Sequence, residues 1–335
     1  MSVAVMINAH SRKGSDAVGD LARQILPDAR VTVTRSLADA QTFIRTELKE
    51  RPCELLLSGG GDGTAVGLLT ALHDQGIQLP AFGLLPLGTG NGWAGEVSAP
   101  KPKRGLELIA RLQSKLPPLR TFLLVEVEGR LTPFAGTGWD AEIVSDYQKQ
   151  LALFPPALRE ANGGFVGYMR SMFTRTLPRH IFGSGPAHVT VINTGEPALR
   201  IDEHGNAVPV PNGERGAVLY RGPASVAGCG TTTELGLGFR AFPFAHCTPG
   251  RMAVRVYAAT PLEGTRYMTR LWRGAHPIPN SFDWMLTACR MEFDRDVPVE
   301  VGGDVIGDRR AIDYRVAHPT VDVIDWSRLI ADTAA

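Results

Sequence analysis

Residues 55–64 read LLLSGGGDGT, and residues 82–91 read FGLLPLGTGN. Each stretch opens with an apolar run typical of a buried strand and closes in a glycine-rich loop, and the first continues into a helical pattern at 65–74. Such a loop lets the backbone approach a phosphate, because glycine has no side chain and the N-terminus of a helix offers unpaired N–H groups. The two stretches therefore predict two anion-binding loops that follow neighbouring strands.

Outward from these loops, the first third of the chain alternates strand and helix patterns. The sequence predicts strands at 2–8, 31–34, 54–58 and 81–85, and helices at 16–26, 37–50, 65–74 and 104–116. This alternation predicts an α/β domain with a parallel sheet and helices on both faces. Ligands of such sheets bind beyond the carboxyl ends of the strands, which is where both loops lie.

After residue 118 extended patterns dominate. Strands are predicted at 119–127, 131–135, 188–192, 217–220, 252–257, 297–301 and 320–324. Short strands at this spacing are typical of an antiparallel sandwich or barrel, so we expect an N-terminal domain at 1–118 and a β-rich domain at 119–330. Two stretches differ from this pattern: 147–182 is helical in character, and 194–215 is polar and expected to be a long surface loop.

Composition narrows the class of protein. Of 335 residues 44% are hydrophobic, 37 are glycine and 24 are proline, and the formal net charge is +1. The glycine and proline content argues against a helical bundle, and the balanced charge argues against bulk attraction to nucleic acid. We expect no spanning segment and no secretory leader, since no long apolar run or basic n-region is present. Four scattered cysteines fit a reduced cytoplasmic protein.

Together the loops favour one site for nucleotide phosphates, because loops after neighbouring parallel strands share one rim of the sheet. Asp62 would then hold Mg²⁺ beside the phosphates, directly or through water. In that case replacing Asp62 by Asn should slow turnover and leave the unfolding temperature almost unchanged. The alternative is that Asp62 is an N-cap in a tight turn between strand and helix.

The loops also resemble a known family. Residues 60–64 (GGDGT) and 86–91 (PLGTGN), at this spacing, look like the diacylglycerol kinase and sphingosine kinase catalytic domain. NAD kinases share the GGDG-type loop, but the PxGTxN loop is the lipid-kinase form. Residues 8–12 (NAHSR), 136–142 (GTGWDAE) and 238–252 are similar to the family's NPxSG, G-x-G-x-D and G-x-R-x-x-P-x-A segments.

This resemblance implies an N-terminal nucleotide domain and a C-terminal β-sandwich domain. The implied activity is ATP-dependent phosphorylation of the hydroxyl of a lipid or lipid-like alcohol, of the diacylglycerol or sphingoid-base type, with ATP and Mg²⁺ as cofactors. Asp62 and Asp304 would serve catalysis and organise Mg²⁺, and Asp140 would lie near the substrate. The residues implied for the nucleotide are Asn8, Ser11, Gly59, Gly60, Gly61, Gly63, Thr64, Gly88, Thr89, Gly90 and Asn91.

Three positions depart from the family pattern. Residues 66–67 (VG) replace a polar Asn-Glu pair, and Gly92 stands where many members have Asp. Gly302 occupies the position of the family's general base, while Asp304 falls at the metal-linked Glu. If 302 and 304 lay on one face of a strand, Asp304 would be displaced by about 6.6 Å and could act as the base. Asp308 is another candidate for the base, and the third possibility is that the kinase activity is weakened.

Two other functions stay open at this point. One is a nucleotide-binding protein of the same fold with weak or no kinase activity, and the other is an NAD kinase-like enzyme, against which the PxGTxN loop counts. Residues 159–180 interleave aromatics with Arg170, Arg175 and Arg179. They form either a solvated helix face or a peripheral contact with anionic headgroups at the inner membrane face. No nucleic-acid partner is expected, and a homodimer is left open.

Overall fold

The computed structural model describes residues 1–112, 115–155, 158, 162–182 and 185–334. They cluster into two compact units: Met1–Leu123 together with the segment from His318 onward, and Leu124–Ala317. This division differs from the expected boundary at 118, because a short strand after that residue and the C-terminal segment both join the N-terminal unit. Residues 113–114 of the expected helix at 104–116 lie outside the described residues.

The N-terminal unit contains strands and helices in alternation. Numbered along the whole chain, its described strands are β1 (Val3–Asn8), β2 (Arg30–Thr34), β3 (Leu55–Gly60), β4 (Ala81–Pro86), β5 (Leu119–Phe122) and β18 (Val321–Ile324). Its described helices are α1 (Asp16–Ile25), α2 (Leu37–Thr42) with the π-helical turn Phe43–Lys49, α3 (Asp62–Asp74), α4 (Gly92–Glu96), α5 (Pro102–Arg111) and α10 (Trp326–Ala334).

The N-terminal sheet has the strand order β2-β1-β3-β4-β18-β5. Its neighbouring strands are parallel, except that β5 runs antiparallel to β18. The central strand β3 is buried along its whole length, as expected of a parallel strand that is covered on both faces. The predicted α/β domain with a mainly parallel sheet is confirmed.

Strand β18 was expected in the β-rich half, yet it lies beside β4. Its residues Val323 and Ile324 are fully buried, and so is Trp326 directly after it. A Cβ on Gly83 of β4 would lie 2.7 Å from Ile324 Cδ1, so the absence of a side chain there makes room for the isoleucine. The C-terminal segment thus stabilises the N-terminal sheet. The sequence pattern predicts the strand but cannot tell which strand it pairs with.

The C-terminal unit consists mainly of strands. Those described are β6 (Val125–Val127), β7 (Arg130–Thr132), β8 (Phe134–Gly138), β9 (Ala187–Asn193), β10 (Leu199–Ile201), β11 (Ala207–Pro209), β12 (Val218–Ala224), β13 (Val226–Gly230), β14 (Met252–Tyr257), β15 (Ser281–Leu286), β16 (Ala288–Val301) and β17 (Asp304–Val316). The described helices are α6 (Trp139–Ala152), α7 (Gly164–Ser171), the π-helical turn Met172–Thr176, α8 (Leu177–Phe182) and α9 (Pro261–Trp272).

These strands form an antiparallel sheet with the order β11-β10-β15-β14-β13-β8-β16-β17-β6-β7. The long strand β16 is the branch point, because its first half pairs with β9 and its last residues pair with β8. Strand β12 pairs with β9 on this branch. The predicted antiparallel, β-rich character of this half is confirmed.

Two expected elements differ in the structure. The single strand expected at 119–127 is divided into β5 and β6, which belong to different units. The loop expected at 194–215 contains the hairpin β10–β11. Its turn is closed by the Asp202 carboxylate, which accepts the N–H groups of His204 and Asn206 at 3.0 and 2.8 Å. Among the described residues, no helix is both long enough and apolar enough to cross a membrane.

Candidate functional site

Three loops meet at one edge of the N-terminal sheet. Strand β3 lies between β1 and β4, with Ile7 opposite Gly59 and Gly60 opposite Pro86. Because the three strands are parallel, their carboxyl ends and the loops that follow share this edge. The structure thus brings together the stretches 8–11, 59–64 and 88–91 that the sequence singled out.

The two glycine-rich loops touch through their backbones. Leu87 and Gly88 donate their N–H groups to the Gly60 carbonyl at 2.9 and 3.1 Å. A Cβ on Gly88 would lie 2.5 Å from Gly61 Cα, closer than such atoms approach in proteins. Glycine at position 88 is therefore needed for the contact between the loops themselves. Gly63, Thr89 and Gly90 are only partly buried, so a ligand can reach them.

Asp62 ties the second loop to the first. Its side chain is 8% exposed, and its two oxygens accept the backbone N–H groups of Gly92 and Trp93 at 2.7 and 3.1 Å. These two residues open helix α4, so the carboxylate satisfies donors that a helix N-terminus leaves unpaired. Asp62 therefore caps a neighbouring helix, whereas the sequence suggested a cap in its own turn or a magnesium ligand.

Asn91 closes the second loop on itself. Its backbone is left-handed, with φ 50° and ψ 46°, a conformation that asparagine tolerates better than most residues. The side-chain carbonyl accepts the Gly88 N–H at 3.0 Å, and the amide donates to the Gly88 carbonyl at 2.8 Å. The side chain thus braces the loop that the sequence assigned to nucleotide binding.

A third brace links the loop after β1 to helix α3. The Asn8 amide donates to Thr64 Oγ at 2.9 Å, and Ser11 Oγ donates to the Asn8 carbonyl at 2.6 Å. The Lys13 N–H reaches the Leu87 carbonyl at 3.0 Å, so this loop also contacts the second glycine-rich loop. Asn8, Ser11 and Thr64 belong to one assembly, as expected, and their contact with a nucleotide stays a prediction.

Asp140 begins helix α6 in the C-terminal unit. Strand β8 turns into this helix at Gly138, whose φ is 103° and whose Cβ, if present, would lie 2.2 Å from the Ser225 carbonyl oxygen. The turn places Asp140 in the first turn of the helix. Burial raises the pKa of Asp140 to about 6, although the N–H groups of Ala141 and of Asp140 itself favour the charged form.

Glu300 is a buried carboxyl group that the sequence did not single out. It is 6% exposed and lies between two buried valines at the end of β16. A charged residue between apolar neighbours in a predicted strand was the only available signal, and it did not distinguish a solvated edge from a buried site. Its cross-strand partner is Gly136, four residues before Asp140.

Gly302 and Gly303 form the tight turn between β16 and β17. Their φ angles are 58° and 94°, and Val301 pairs directly with Asp304 across the turn. The expectation that 302 and 304 share one face of a strand is therefore wrong, because two successive glycines with positive φ reverse the chain. Asp304 and Asp308 are both exposed on β17.

Two of the three arginines expected at a membrane have partners within the C-terminal unit. Arg179 donates to both oxygens of Asp146 at 2.8 and 2.9 Å. Arg170 donates to Asn162 at 3.3 Å, and its guanidinium lies 5.4 Å from the centre of the Phe154 ring. Arg175, the third, is exposed, and no such contact is found for it among the described residues. Residues 159–161 of this stretch lie outside the described residues.

The described residues offer single carboxylates and no metal cage. Within the described part of the chain, no group of three or more His, Cys, Asp or Glu side chains could hold a metal ion. Mg²⁺ in phosphoryl-transfer sites is commonly bound by one or two carboxylates together with the phosphates of the substrate. Asp62, buried and fixed by two N–H groups, fits such an ion as one oxygen ligand.

Comparisons with known proteins point to one family. Residues 2–118 match the family model of the diacylglycerol kinase catalytic domain. The probable lipid kinase YegS-like of Citrobacter koseri is 39% identical over 87 residues, which are 26% of this chain and 28% of that protein. The probable lipid kinase YegS of Shigella flexneri is 40% identical over 72 residues, 21% of this chain and 24% of that protein. These matches span about a quarter of the curated relatives' length.

The likeness in fold extends over 96% of the chain. A crystal structure of a diacylglycerol kinase from Bacillus anthracis aligns with a TM-score of 0.60 at 14% identity and covers 96% of both chains. A second structure from the same organism aligns with a TM-score of 0.67 at 15% identity over the same share. The resemblance drawn from the glycine-rich loops is confirmed, and so is the expected fold class.

Proposed function

We propose, from the diacylglycerol kinase catalytic domain at residues 2–118, that this chain is an ATP-dependent kinase acting on the hydroxyl of a lipid or lipid-like alcohol. The observation that carries the proposal is the braced pair of glycine-rich loops at one edge of a parallel sheet. Asp62 holds the end of the second loop against the first, and Asn91 closes the second loop on itself, before any ligand binds. Preorganised backbone donors of this kind stabilise phosphate charge without reorganisation.

The nucleotide phosphates would lie against the two loops. Helix α3 is 13 residues long and begins at Asp62, so its first turn offers N–H groups and the positive end of the helix dipole. Gly63, Thr89 and Gly90 would supply backbone contacts, with Asn8 and Ser11 beside them. Because phosphoryl transfer depends mainly on positioning and charge stabilisation, a rigid cradle is the feature it most needs.

Mg²⁺ would arrive with ATP and take one ligand from Asp62. When bound, the ion neutralises charge on the phosphate oxygens. A role of Asp304, which the family pattern links to the metal, stays a prediction of the sequence. Backbone N–H groups of both loops would bind the other phosphate oxygens.

A second candidate function is nucleotide binding with little turnover. The observation that favours it is that both Asp62 oxygens already serve the backbone of α4. The position that bears the family's base is Gly302, within a glycine turn. A chain that keeps the two loops, has no acid at position 302 and uses Asp62 for structure would bind ATP without consuming it.

The substrate side of the proposal is a contact with a membrane surface. Val166 and Phe173 are 78% and 53% exposed on α7 and the following π-helical turn, and Arg175 of the same turn is exposed as well. A segment that exposes both apolar side chains and a cation suits the boundary between acyl chains and anionic headgroups. We propose that the chain takes its alcohol from such a surface.

The test combines transfer with binding. Purified chain is incubated with Mg²⁺ and γ-labelled ATP and with 1,2-dioctanoylglycerol, sphingosine or geranylgeraniol, and ATP binding is measured separately by calorimetry. A labelled lipid product is the expected result. ATP binding without transfer to any alcohol would favour the second candidate, and no ATP binding would overturn both.

Two glycine variants sharpen this test. Gly88→Ala places a Cβ 2.5 Å from Gly61 Cα, so it should weaken ATP binding at least tenfold and lower transfer with it. Gly67→Ala is the matched control, because a Cβ at position 67 of the same domain meets nothing within 4 Å. Equal loss in both variants would show that the effect is not specific to the loops.

A further inference from the structure

Helix α9 exposes a row of arginines on one face. Its buried positions are Gly264 and Leu271, which are seven residues apart and therefore share a face of the helix. Arg266, Arg270 and Arg273 recur at intervals of four and three residues on the opposite face, and all three are exposed. Arg273 directly follows the last residue of the helix and still has a helical backbone.

A fourth arginine lies at the end of this row. The Arg240 N–H donates to the Trp272 carbonyl at 3.0 Å, and a Cβ on Gly274 would lie 3.0 Å from Arg240 Cβ. Arg240 is exposed, like the arginines of the helix. The arginine stripe is defined as Arg240, Arg266, Arg270 and Arg273.

The arginine stripe has no carboxylate partner among the described residues, since none of its four members forms an ion pair with Asp or Glu. The acid of α9, Glu263, is held at the start of the helix, where it accepts the Thr260 N–H at 2.9 Å and the Asn280 amide at 3.1 Å. The stripe therefore concentrates uncompensated positive charge on a chain whose formal net charge is +1. Arginines of the same unit that do bond to a carboxylate include Arg255, Arg290, Arg309 and Arg315.

Two guanidinium groups of the stripe are held in place without being neutralised. Those of Arg266 and Arg270 lie 5.7 and 6.0 Å from the centre of the Tyr267 ring, and Arg270 also donates to the Pro277 carbonyl at 2.7 Å. An aromatic face attracts a cation but carries no net charge. Both arginines therefore keep their charge and have less side-chain freedom to lose when an anion binds.

Helix α9 packs beside the segment that carries the proposed membrane contact. It contacts α8, and a Cβ on Gly264 would lie 2.4 Å from ring atoms of Trp139. The Trp139 ring in turn meets the His180 ring of α8, with the ring centres 5.7 Å apart. Because α8 continues the segment that exposes Val166 and Phe173, the arginine stripe and these apolar side chains belong to neighbouring helices of one unit.

We propose that the arginine stripe binds the anionic headgroups of a membrane and supplies the electrostatic part of the contact whose apolar part is Val166 and Phe173. The choice of a membrane as the partner rests on the proposed function. Insertion of apolar side chains is strengthened by attraction to anionic lipids, and arginine clusters on amphipathic helices are typical of proteins that bind such lipids. The balanced charge of the whole chain argues against a nucleic acid.

The test is cosedimentation with mixed vesicles of phosphatidylglycerol and phosphatidylcholine, compared with vesicles of phosphatidylcholine alone. The triple variant Arg266→Gln, Arg270→Gln and Arg273→Gln should bind the anionic vesicles about 100-fold more weakly, because each basic residue near such a surface contributes about fivefold. The difference from the wild type should shrink at high salt, which screens exposed charges. Binding to the neutral vesicles should not change.

Two controls locate the effect. The triple variant Arg200→Gln, Arg215→Gln and Arg221→Gln removes the same charge from other exposed positions of the unit and should bind like the wild type. Leu262→Ser leaves every charge of α9 in place and should also bind normally. Equal loss in either control, or none in the stripe variant, overturns the proposal. Loss of binding to duplex DNA in place of vesicles would identify a nucleic acid as the partner and overturn it as well.

Transfer assays separate this surface from the proposed function. In the stripe variant, transfer to 1,2-dioctanoylglycerol free in solution should equal that of the wild type, whereas transfer to a long-chain diacylglycerol in anionic vesicles should fall with binding. A wild type that phosphorylates no alcohol but binds vesicles through the stripe overturns the proposed function and supports the surface. An active wild type whose stripe variant binds vesicles normally overturns the surface alone.

Discussion

The backbone N–H of Gly92 donates a 2.7 Å hydrogen bond to Asp62 Oδ2, so a carboxylate of the first glycine-rich loop holds the residue that follows the second. The other Asp62 oxygen accepts the N–H of Trp93 at 3.1 Å. Both bonds are buried, and both close the start of a helix of five residues. The acid that the family pattern links to metal and phosphate is therefore also a structural connection between the loops.

Replacing Asp62 by Asn should destabilise the protein. An amide has one accepting oxygen, so one of the two N–H groups would face an NH₂ donor and lose its partner. An unsatisfied buried donor costs about 1–3 kcal/mol, and we expect a loss of that size in the free energy of unfolding. Chemical denaturation measures it. The control is Asp74→Asn at the exposed end of the same helix, and unfolding of the Asp62 variant at the wild-type denaturant concentration would contradict the expectation.

Two substitutions of Asn91 separate its backbone role from its side-chain role. Asn91→Gly keeps the left-handed conformation accessible and removes only the two hydrogen bonds to Gly88. Asn91→Ala removes the same bonds and adds left-handed strain of about 1 kcal/mol. We expect both variants to weaken ATP binding and the alanine variant to be less stable, which calorimetry and denaturation measure. Equal stability of the two would show that the backbone conformation is not strained there.

The N-terminal fold could be predicted because its signals are local. Each loop follows a strand directly, and parallel neighbours bring their carboxyl ends to one edge without further information. The partner of Asp62 could not be predicted in the same way. Gly92 is 30 residues away and carries no side chain to mark it, so the residue type alone left both a metal ligand and a helix cap open.

Two elements of the C-terminal half carry sequence signals that hydrophobic periodicity alone does not detect. Thr260 is the N-cap of helix α9, where it forms a capping box with Glu263 ahead of a proline in the first turn, and this pattern is a start signal that the sequence shows. Two consecutive glycines at 302–303 between apolar runs predict a tight hairpin turn. Glu300 was different, because burial of a charged residue in a strand depends on which helix covers the sheet.

The raised pKa of Asp140 makes a prediction for stability. Its pKa is about 6 in the folded chain against an ordinary value of 3.8, so folding favours the protonated form. The destabilisation is complete above pH 6 and disappears below about pH 4, where both states are protonated. Asp140→Asn should therefore be more stable than the wild type at pH 7.5, on the order of 2 kcal/mol, and nearly equal to it at pH 4.

Urea denaturation at several pH values measures this difference, with Asp296→Asn as the control for removal of an exposed carboxylate. A constant difference across pH would mean that Asp140 titrates normally in the folded state. This measurement needs no substrate, so it tests the environment of Asp140 independently of any activity.

The turn at Gly302 predicts which glycine accepts a side chain. Its φ of 58° lies in the left-handed region that aspartate tolerates, while Gly303 has a φ of 94° outside that region. Gly302→Asp should lower stability by about 1 kcal/mol, and Gly303→Asp by more. Gly302→Asp should also raise transfer to an accepted alcohol at least tenfold, because it restores a carboxylate at the family's base position. A folded variant with no gain in transfer would contradict this.

The proposed membrane contact is tested best through its exposed apolar residues, since Arg179 is bonded to Asp146, whose side chain is 5% exposed. Val166→Ser with Phe173→Ser should abolish cosedimentation with anionic vesicles and leave ATP binding intact. Arg175→Glu should weaken binding to the vesicles in a salt-dependent manner, by about 1 kcal/mol.

Arg179→Glu should instead lower the unfolding temperature, because it leaves a buried carboxylate unpaired. Leu262→Ser, at a side chain 78% exposed on α9, is the control. Equal loss with that variant would remove the assignment to this surface.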